Sequence, residues 1–179
     1  MSTDDRSIVE RVMAGDQEAY AMIVARYHRP IFNTVLRLVG DYDDAVEVTQ
    51  QAFVSAYERL ETYNPAYRFF SWFYRIAYNA ALNHLRRKKR TVKLPKELPA
   101  KGSNPEAEVV RSQRDSFMHR ALRAVDIDHR VVLVLRHFIG LPYREITRIL
   151  DIPESTLKFR LHVARQKLRD RLIELGYFQ

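Results

Sequence analysis

Apolar side chains recur three and four residues apart through most of this 179-residue chain. The clearest run lies near the C-terminus, at Leu157, Leu161, Ala164, Leu168 and Leu172. At about 100° per residue in a helix, these five side chains fall on one face. We find no well-supported period-two alternation, and the chain has only 5 glycines. The pattern therefore predicts an all-α fold.

One segment interrupts this helical pattern. Residues 93–112 contain Pro95, Pro99, Gly102 and Pro105 among polar residues. This composition is typical of a flexible linker. The sequence therefore predicts two small helical domains, residues 1–92 and residues 113–179, joined by residues 93–112.

Residues 142–172 have the pattern of a helix-turn-helix. A short helix with Ile146 and Ile149 on its buried side ends before Pro153, and a longer basic helix follows. The outer face of the longer helix carries Phe159 and Val163 among cationic residues, a combination suited to base edges and phosphates in the major groove. The alternative is a basic solvated helix in a small helical domain.

Aromatic residues are concentrated between positions 63 and 78, which hold 8 of the chain's 20. In a helix starting near Ser71, the inward face would hold Trp72, Phe73, Ile76, Ala77 and Ala80. Part of the aromatic group would then belong to the core. Exposed aromatics next to the basic run at 86–90 would form a surface for unpaired bases. The alternatives are that each aromatic belongs to the core and that the basic run is a localisation-type signal.

A third helix has an acidic outer face. Ala45, Val48, Ala52 and Ala56 form its predicted buried stripe, and residues such as Glu47 lie on the other side. Acidic residues in a basic chain are unlikely to face DNA, so this face predicts contact with a protein. A solvated surface is the alternative.

The charge balance of the chain indicates a polyanionic partner. The net charge is +8 and the pI is about 9.8, which suits nucleic acid or a membrane surface. No apolar run approaches the roughly 20 residues of a membrane span. The chain has no cysteine, and its 6 histidines lack metal-ligand spacing. We expect a cytoplasmic protein without membrane insertion, metal, cofactor or enzymatic activity. A repressor or activator that uses the helix-turn-helix alone, or a recombinase, are the alternative classes.

Several short segments together resemble a known family. They are Gly15–Tyr20 (GDQEAY), Asp44–Ala45 with Gln50 and Phe53, Phe70–Trp72 with Tyr74–Ala77, and Leu141–Ile146 (LPYREI) with Ile152–Pro153 and Arg160–His162. In this order they resemble bacterial sigma factors of the sigma-70 class, in the small extracytoplasmic-function (ECF) group that keeps the second and fourth sigma domains. The resemblance covers nearly the whole chain.

The resemblance implies a factor that directs promoter-specific transcription initiation. Its expected partners are core RNA polymerase, through the beta-prime clamp helices and the beta flap, promoter DNA, and an anti-sigma factor. The first domain would bind polymerase and the melted minus-10 strand, and the second would bind the minus-35 duplex.

The resemblance also assigns residues to three surfaces. The polymerase-binding residues are Asp44, Glu47, Gln50 and Gln51. The minus-10 residues are Tyr63, Tyr67, Phe70, Trp72, Tyr74, Asn79, Asn83, Arg86, Arg87 and Lys88. The minus-35 residues are Ser155, Thr156, Lys158, Phe159, Arg160, His162, Val163 and Arg165. Val46, Glu47, Phe159 and Val163 depart from the residues usual in the family, so the promoter sequence cannot be copied from relatives.

Overall fold

The computed structural model describes residues 4–91 and 113–177, and these residues form helices and connecting turns with no strand among them. The α-helices are α1 (Asp5–Met13), α2 (Gln17–Val39), α3 (Tyr42–Glu58), α4 (Phe69–Thr91), α5 (Gln113–Arg123), α6 (Ile127–Leu133), α7 (Tyr143–Leu150) and α8 (Glu154–Glu174). The all-α prediction is confirmed. The predicted linker, residues 93–112, lies outside the described residues, and the domain boundaries drawn from it stay a prediction.

Side-chain caps and short connections set the starts of α2 and α3. The Asp16 carboxylate caps α2 by accepting from the Ala19 N–H at 3.1 Å, and the Asp41 carboxylate caps α3 by accepting from the Asp44 N–H at 3.1 Å. Gly40 ends α2 with φ of 77°, a left-handed conformation that glycine adopts without strain. Because only Gly40 and Asp41 separate the two helices, α3 turns back along α2. The α3 and α4 helices also pack side by side.

The second group of helices contains the predicted helix-turn-helix. A π-helical turn, Val134–Phe138, continues the strongly apolar α6, and Gly140 follows it with φ of 79°. Asp151 adopts φ of 54° between α7 and α8 and separates the two helices. The predicted inward face of α8 is confirmed, since Leu157, Leu161, Ala164 and Leu172 are buried and Leu168 packs against the core.

The two groups of helices pack against each other. Buried apolar residues from both form one continuous cluster. The buried Arg130 of α6 donates from its guanidinium to the Leu38 carbonyl at the end of α2, and also to the Arg123 and Val125 carbonyls at 2.8 and 2.9 Å. Burial lowers the pKa of Arg130 to about 10. Arg130 thus satisfies a carbonyl that the end of α2 leaves without a helical partner.

Candidate functional site

The outer face of α8 is open to solvent along the predicted DNA-binding surface. Phe159 is 67% exposed, an unusual state for a phenylalanine unless it has a partner to contact. The exposed residues also include Ser155, Lys158, His162 and Arg165, while Thr156, Arg160 and Val163 are half-buried at the margin. Since the opposite face is in the core, α8 can present this surface to a groove without losing its own packing.

Ion pairs compensate part of the positive charge of α8, since Lys158, Lys167 and Arg171 each pair with a carboxylate. Lys158 pairs with Glu154 at 2.7 Å, and this carboxylate raises the pKa of the lysine. Arg165 Nε donates to His137 Nε2 at 3.3 Å. Burial, and then the nearby Arg165, lowers the pKa of His137. A neutral His137 leaves Arg165 as the charged member of the pair, close to the helix face that bears Phe159.

The aromatic segment, which comprises Tyr63 and Tyr67 before α4 and the aromatic residues of its first turn, forms a cluster with one open edge. The Tyr63 ring lies 5.7 Å from Trp72 and 5.2 Å from Phe69 between centroids. The Tyr63 hydroxyl donates to the Tyr67 carbonyl at 2.8 Å, and Tyr67 itself is 50% exposed. Tyr63, Phe70 and Trp72 are half-buried. This edge can offer an aromatic surface to a base, with Tyr67 outermost.

Tyr74 is a core residue, and the prediction that it contacts DNA is wrong. Its ring is 1% exposed, and its hydroxyl donates to the Pro30 carbonyl at 3.2 Å and accepts from Thr34 Oγ1 at 3.1 Å. Burial raises the pKa of the Tyr74 hydroxyl. The physical reason is the helical phase. The α4 helix begins at Phe69, and position 74 shares its inward face with Ala77 and Ala81.

The buried face of α4 agrees only in part with the predicted one. Phe73 and Ala77 are buried as predicted, whereas Trp72, Ile76 and Ala80 are only half-buried. The outer polar face keeps the predicted composition, with exposed Asn79, Asn83, Arg86, Arg87 and Lys88. Amide groups one turn apart beside cations can bind base edges and phosphates together.

The predicted polymerase-binding residues on α3 do not share one environment. Glu47, Gln50 and Gln51 are exposed. The Asp44 carboxylate is instead 17% exposed and points to α4, with Oδ2 2.6 Å from Lys88 Nζ and Oδ1 3.2 Å from His84 Nε2. Burial raises the pKa of Asp44, but Lys88 and His84 lower it more, so it lies below its usual range.

Helix α7 lies over the aromatic segment, a placement that sequence reasoning missed. Glu145 accepts from Arg68 Nη1 at 3.0 Å and from Ser71 Oγ at 2.8 Å. The Arg148 guanidinium lies 5.0 Å from the centroid of the Tyr67 ring, above its face. Ser71 and Glu145 are 74 residues apart in the chain, and no periodic pattern connects them. The cleft between the two groups is lined by Trp72 and by both acidic and basic side chains.

Residues 4–91 and 113–177 contain no cluster of three or more potential metal ligands. Within the same ranges, no helix combines the length and apolar character of a membrane span.

Comparison with known proteins identifies the family. Residues 23–91 match sigma-70 region 2, and residues 118–168 match sigma-70 region 4. The chain is 31% identical to the ECF RNA polymerase sigma factor SigW of Bacillus subtilis, over 93% of this chain and 96% of that protein. The chain belongs to the ECF sigma factors of the sigma-70 family. It is therefore a transcription-initiation factor that works with RNA polymerase and promoter DNA.

Other ECF sigma factors are similar over the same span. The ECF sigma-E factor of Escherichia coli K12 is 32% identical, over 94% of both chains. Among solved structures, CnrH in complex with the cytosolic domain of CnrY has the same fold, with a TM-score of 0.70 at 23% identity, over 95% of this chain and 97% of CnrH. Region 2 contains α3 and α4, and region 4 contains the helix-turn-helix, so all three surfaces lie in regions shared by the family.

Proposed function

We propose that this ECF sigma factor uses one helix to bind core polymerase and two helices to bind the promoter. The exposed Glu47, Gln50 and Gln51 on α3 bind the beta-prime clamp helices of core polymerase. The outer face of α8, from Ser155 to Arg165, enters the major groove at the minus-35 element. The region 4 helices also bind the beta flap. The observation that carries the proposal is that α3, α4 and α8 expose the predicted polar or basic side chains, Asp44 excepted, while their apolar faces are buried.

The melted minus-10 strand binds the aromatic edge and the polar face of α4. Tyr67 and Trp72 stack on unpaired bases, while Asn79 and Asn83 bind base edges. Arg86 and Arg87 bind the phosphate backbone. Each stacked base would favour the open promoter by roughly 1–3 kcal/mol. The chain makes or breaks no bond in this scheme, and it acts in the cytoplasm, where core polymerase and promoters are found.

An anti-sigma factor is the proposed regulatory partner. CnrH is described in complex with the cytosolic domain of CnrY, and the sigma factor RpoE of Bartonella quintana in complex with the anti-sigma factor NepR. The second structure shares the fold at a TM-score of 0.70 and 18% identity. These complexes motivate a search for a protein that binds this chain and blocks transcription.

Run-off transcription with purified core polymerase on genomic fragments tests the function. We expect the chain to form a stoichiometric complex with core polymerase and to direct initiation at mapped start sites that share two upstream elements. Tyr67→Ala should reduce the permanganate reactivity of the open strand several-fold and leave closed-complex binding unchanged, because the side chain is exposed. A chain that binds DNA but neither binds core polymerase nor directs initiation would be a conventional regulator.

A further inference from the structure

Asp44 lies between the surface proposed for polymerase and the surface proposed for DNA. It occupies the first turn of α3, one turn before the exposed Glu47. Its carboxylate points away from the outer face of α3 and toward α4. The distance from Asp44 Oδ2 to Lys88 Nζ is 2.6 Å, and that from Asp44 Oδ1 to His84 Nε2 is 3.2 Å. The orientation of Asp44 is therefore that of a contact between helices.

The two partners of Asp44 are separated by one turn of α4. The His84 side chain is 11% exposed, whereas Lys88 extends along the surface and is 52% exposed. Positions 84 and 88 are neighbours on one helix face, because residues four apart overlie each other. Asn83, Arg86 and Arg87 belong to the same two turns and are exposed. One carboxylate thus holds the part of α4 that presents the proposed minus-10 residues.

The Asp44 carboxylate provides a polar contact between α3 and this end of α4. His84 Nε2 is buried and makes no hydrogen bond of good geometry in the described structure, so its nearest polar partner is the Asp44 carboxylate. Without that charge, Lys88 would lose its partner and His84 would face an uncharged group in a poorly solvated position. The basic end of α4 would then be free to rotate or fray, because it lies near the end of the helix.

We infer that Asp44 is a positioning residue for minus-10 DNA and does not itself bind polymerase. It holds the basic end of α4 against α3, so that Asn83, Arg86 and Arg87 reach the strand together. This inference rests on the proposed function, and it removes Asp44 from the predicted polymerase-binding residues.

The test uses the full-length chain and compares Asp44→Asn with Glu47→Gln. Both substitutions remove one carboxylate charge from α3 with little change in shape, one facing α4 and one facing solvent. Two affinities are measured for each variant: that for core polymerase, and that of the reconstituted holoenzyme for a single-stranded minus-10 oligonucleotide selected from mapped promoters. Asp44→Asn should weaken strand binding about tenfold, equivalent to about 1.4 kcal/mol, with core affinity within about twofold of the unmodified chain. Glu47→Gln should weaken core binding and leave strand binding unchanged.

The opposite pattern would overturn the inference. If Asp44→Asn weakens core binding as Glu47→Gln does and spares strand binding, Asp44 is a polymerase contact. If the unmodified chain binds neither core polymerase nor the strand, the proposed function itself fails, which is a distinct result.

A second pair of variants covers the case in which Asp44→Asn does not fold, as judged by circular dichroism. Lys88→Met removes the same ion pair from its exposed side, and Lys89→Met removes a neighbouring exposed cation without that pair. Lys88→Met should weaken strand binding several-fold more than Lys89→Met. Because loss of a phosphate contact by Lys88 would do the same, Lys88→Met should also speed amide hydrogen exchange in the last turns of α4 in the free chain, whereas Lys89→Met should not. Equal losses from the two lysines, or unchanged hydrogen exchange in Lys88→Met, would contradict a positioning role.

Discussion

Phe159 is the residue at which this chain's promoter preference should be most distinctive. At 67% exposure its ring contributes little to the core, so Phe159→Ala should leave the melting temperature almost unchanged. A ring placed in the major groove can contact a thymine methyl group, and burying a phenylalanine side chain contributes roughly 1.5–3 kcal/mol. We therefore expect affinity for the minus-35 duplex to fall roughly tenfold, measured by fluorescence anisotropy.

Ile173 provides the matched control for that prediction. It is also an exposed apolar residue of α8, at 51%, but it lies beyond the proposed groove-facing segment. Ile173→Ala should leave duplex affinity unchanged. Equal losses from both substitutions would mean that the effect is a general change in α8 and does not come from base contact by Phe159.

At the scale of the elements, Gly40 ends α2 at a point where the two groups of helices are in contact. Gly40 and Gly15 both have positive φ, at 77° and 97°. A Cβ at Gly15 would have no atom within 4 Å, whereas a Cβ at Gly40 would overlap the Arg123 side chain. Gly15→Ala should cost about 1 kcal/mol of unfolding free energy from backbone strain alone. Gly40→Ala should cost clearly more in the same urea titration, and equal costs would show that α5 does not pack on Gly40 in solution.

Local periodicity was sufficient to predict α8 and the helix-turn-helix. The inward positions of α8 depend only on spacing within one helix. The break before Pro153 can be predicted from the proline itself. The phase of α4 was harder to predict, because aromatic residues occur on all its sides and do not define a single stripe. Placing the inward stripe on Trp72, Ile76 and Ala80, when Tyr74 and Ala81 are the buried positions, misassigned Tyr74. The side-chain direction of Asp44 depends on His84 and Lys88, which lie on another helix, so sequence spacing could not give it.

For the whole molecule, the contact between α7 and the aromatic segment predicts that strand capture requires the two groups of helices to separate. Glu145 binds Arg68 and Ser71, and Arg148 lies over one face of Tyr67, so the outermost aromatic ring is partly covered in this arrangement. The Arg68 side chain is 69% exposed but Glu145 is only 13% exposed, and buried apolar residues of both groups form one cluster, so separation has to break a partly buried ion pair and apolar packing. The binding of polymerase and DNA must therefore offset this packing for the two groups to separate.

A cross-link across that contact tests whether opening is necessary. The chain has no cysteine, so Ser71→Cys with Glu145→Cys provides a unique thiol pair for a short bismaleimide. Linking the two thiols should reduce binding of a minus-10 oligonucleotide at least tenfold, because α7 then stays over Tyr67. The same double variant without the linker is the control, and it should bind the strand at least as well as the unmodified chain, since the Glu145 contacts are gone. If the linked chain binds the oligonucleotide with unchanged affinity, the strand reaches its site without separation of α7 from α4, and the proposed path of the strand across Tyr67 must be wrong.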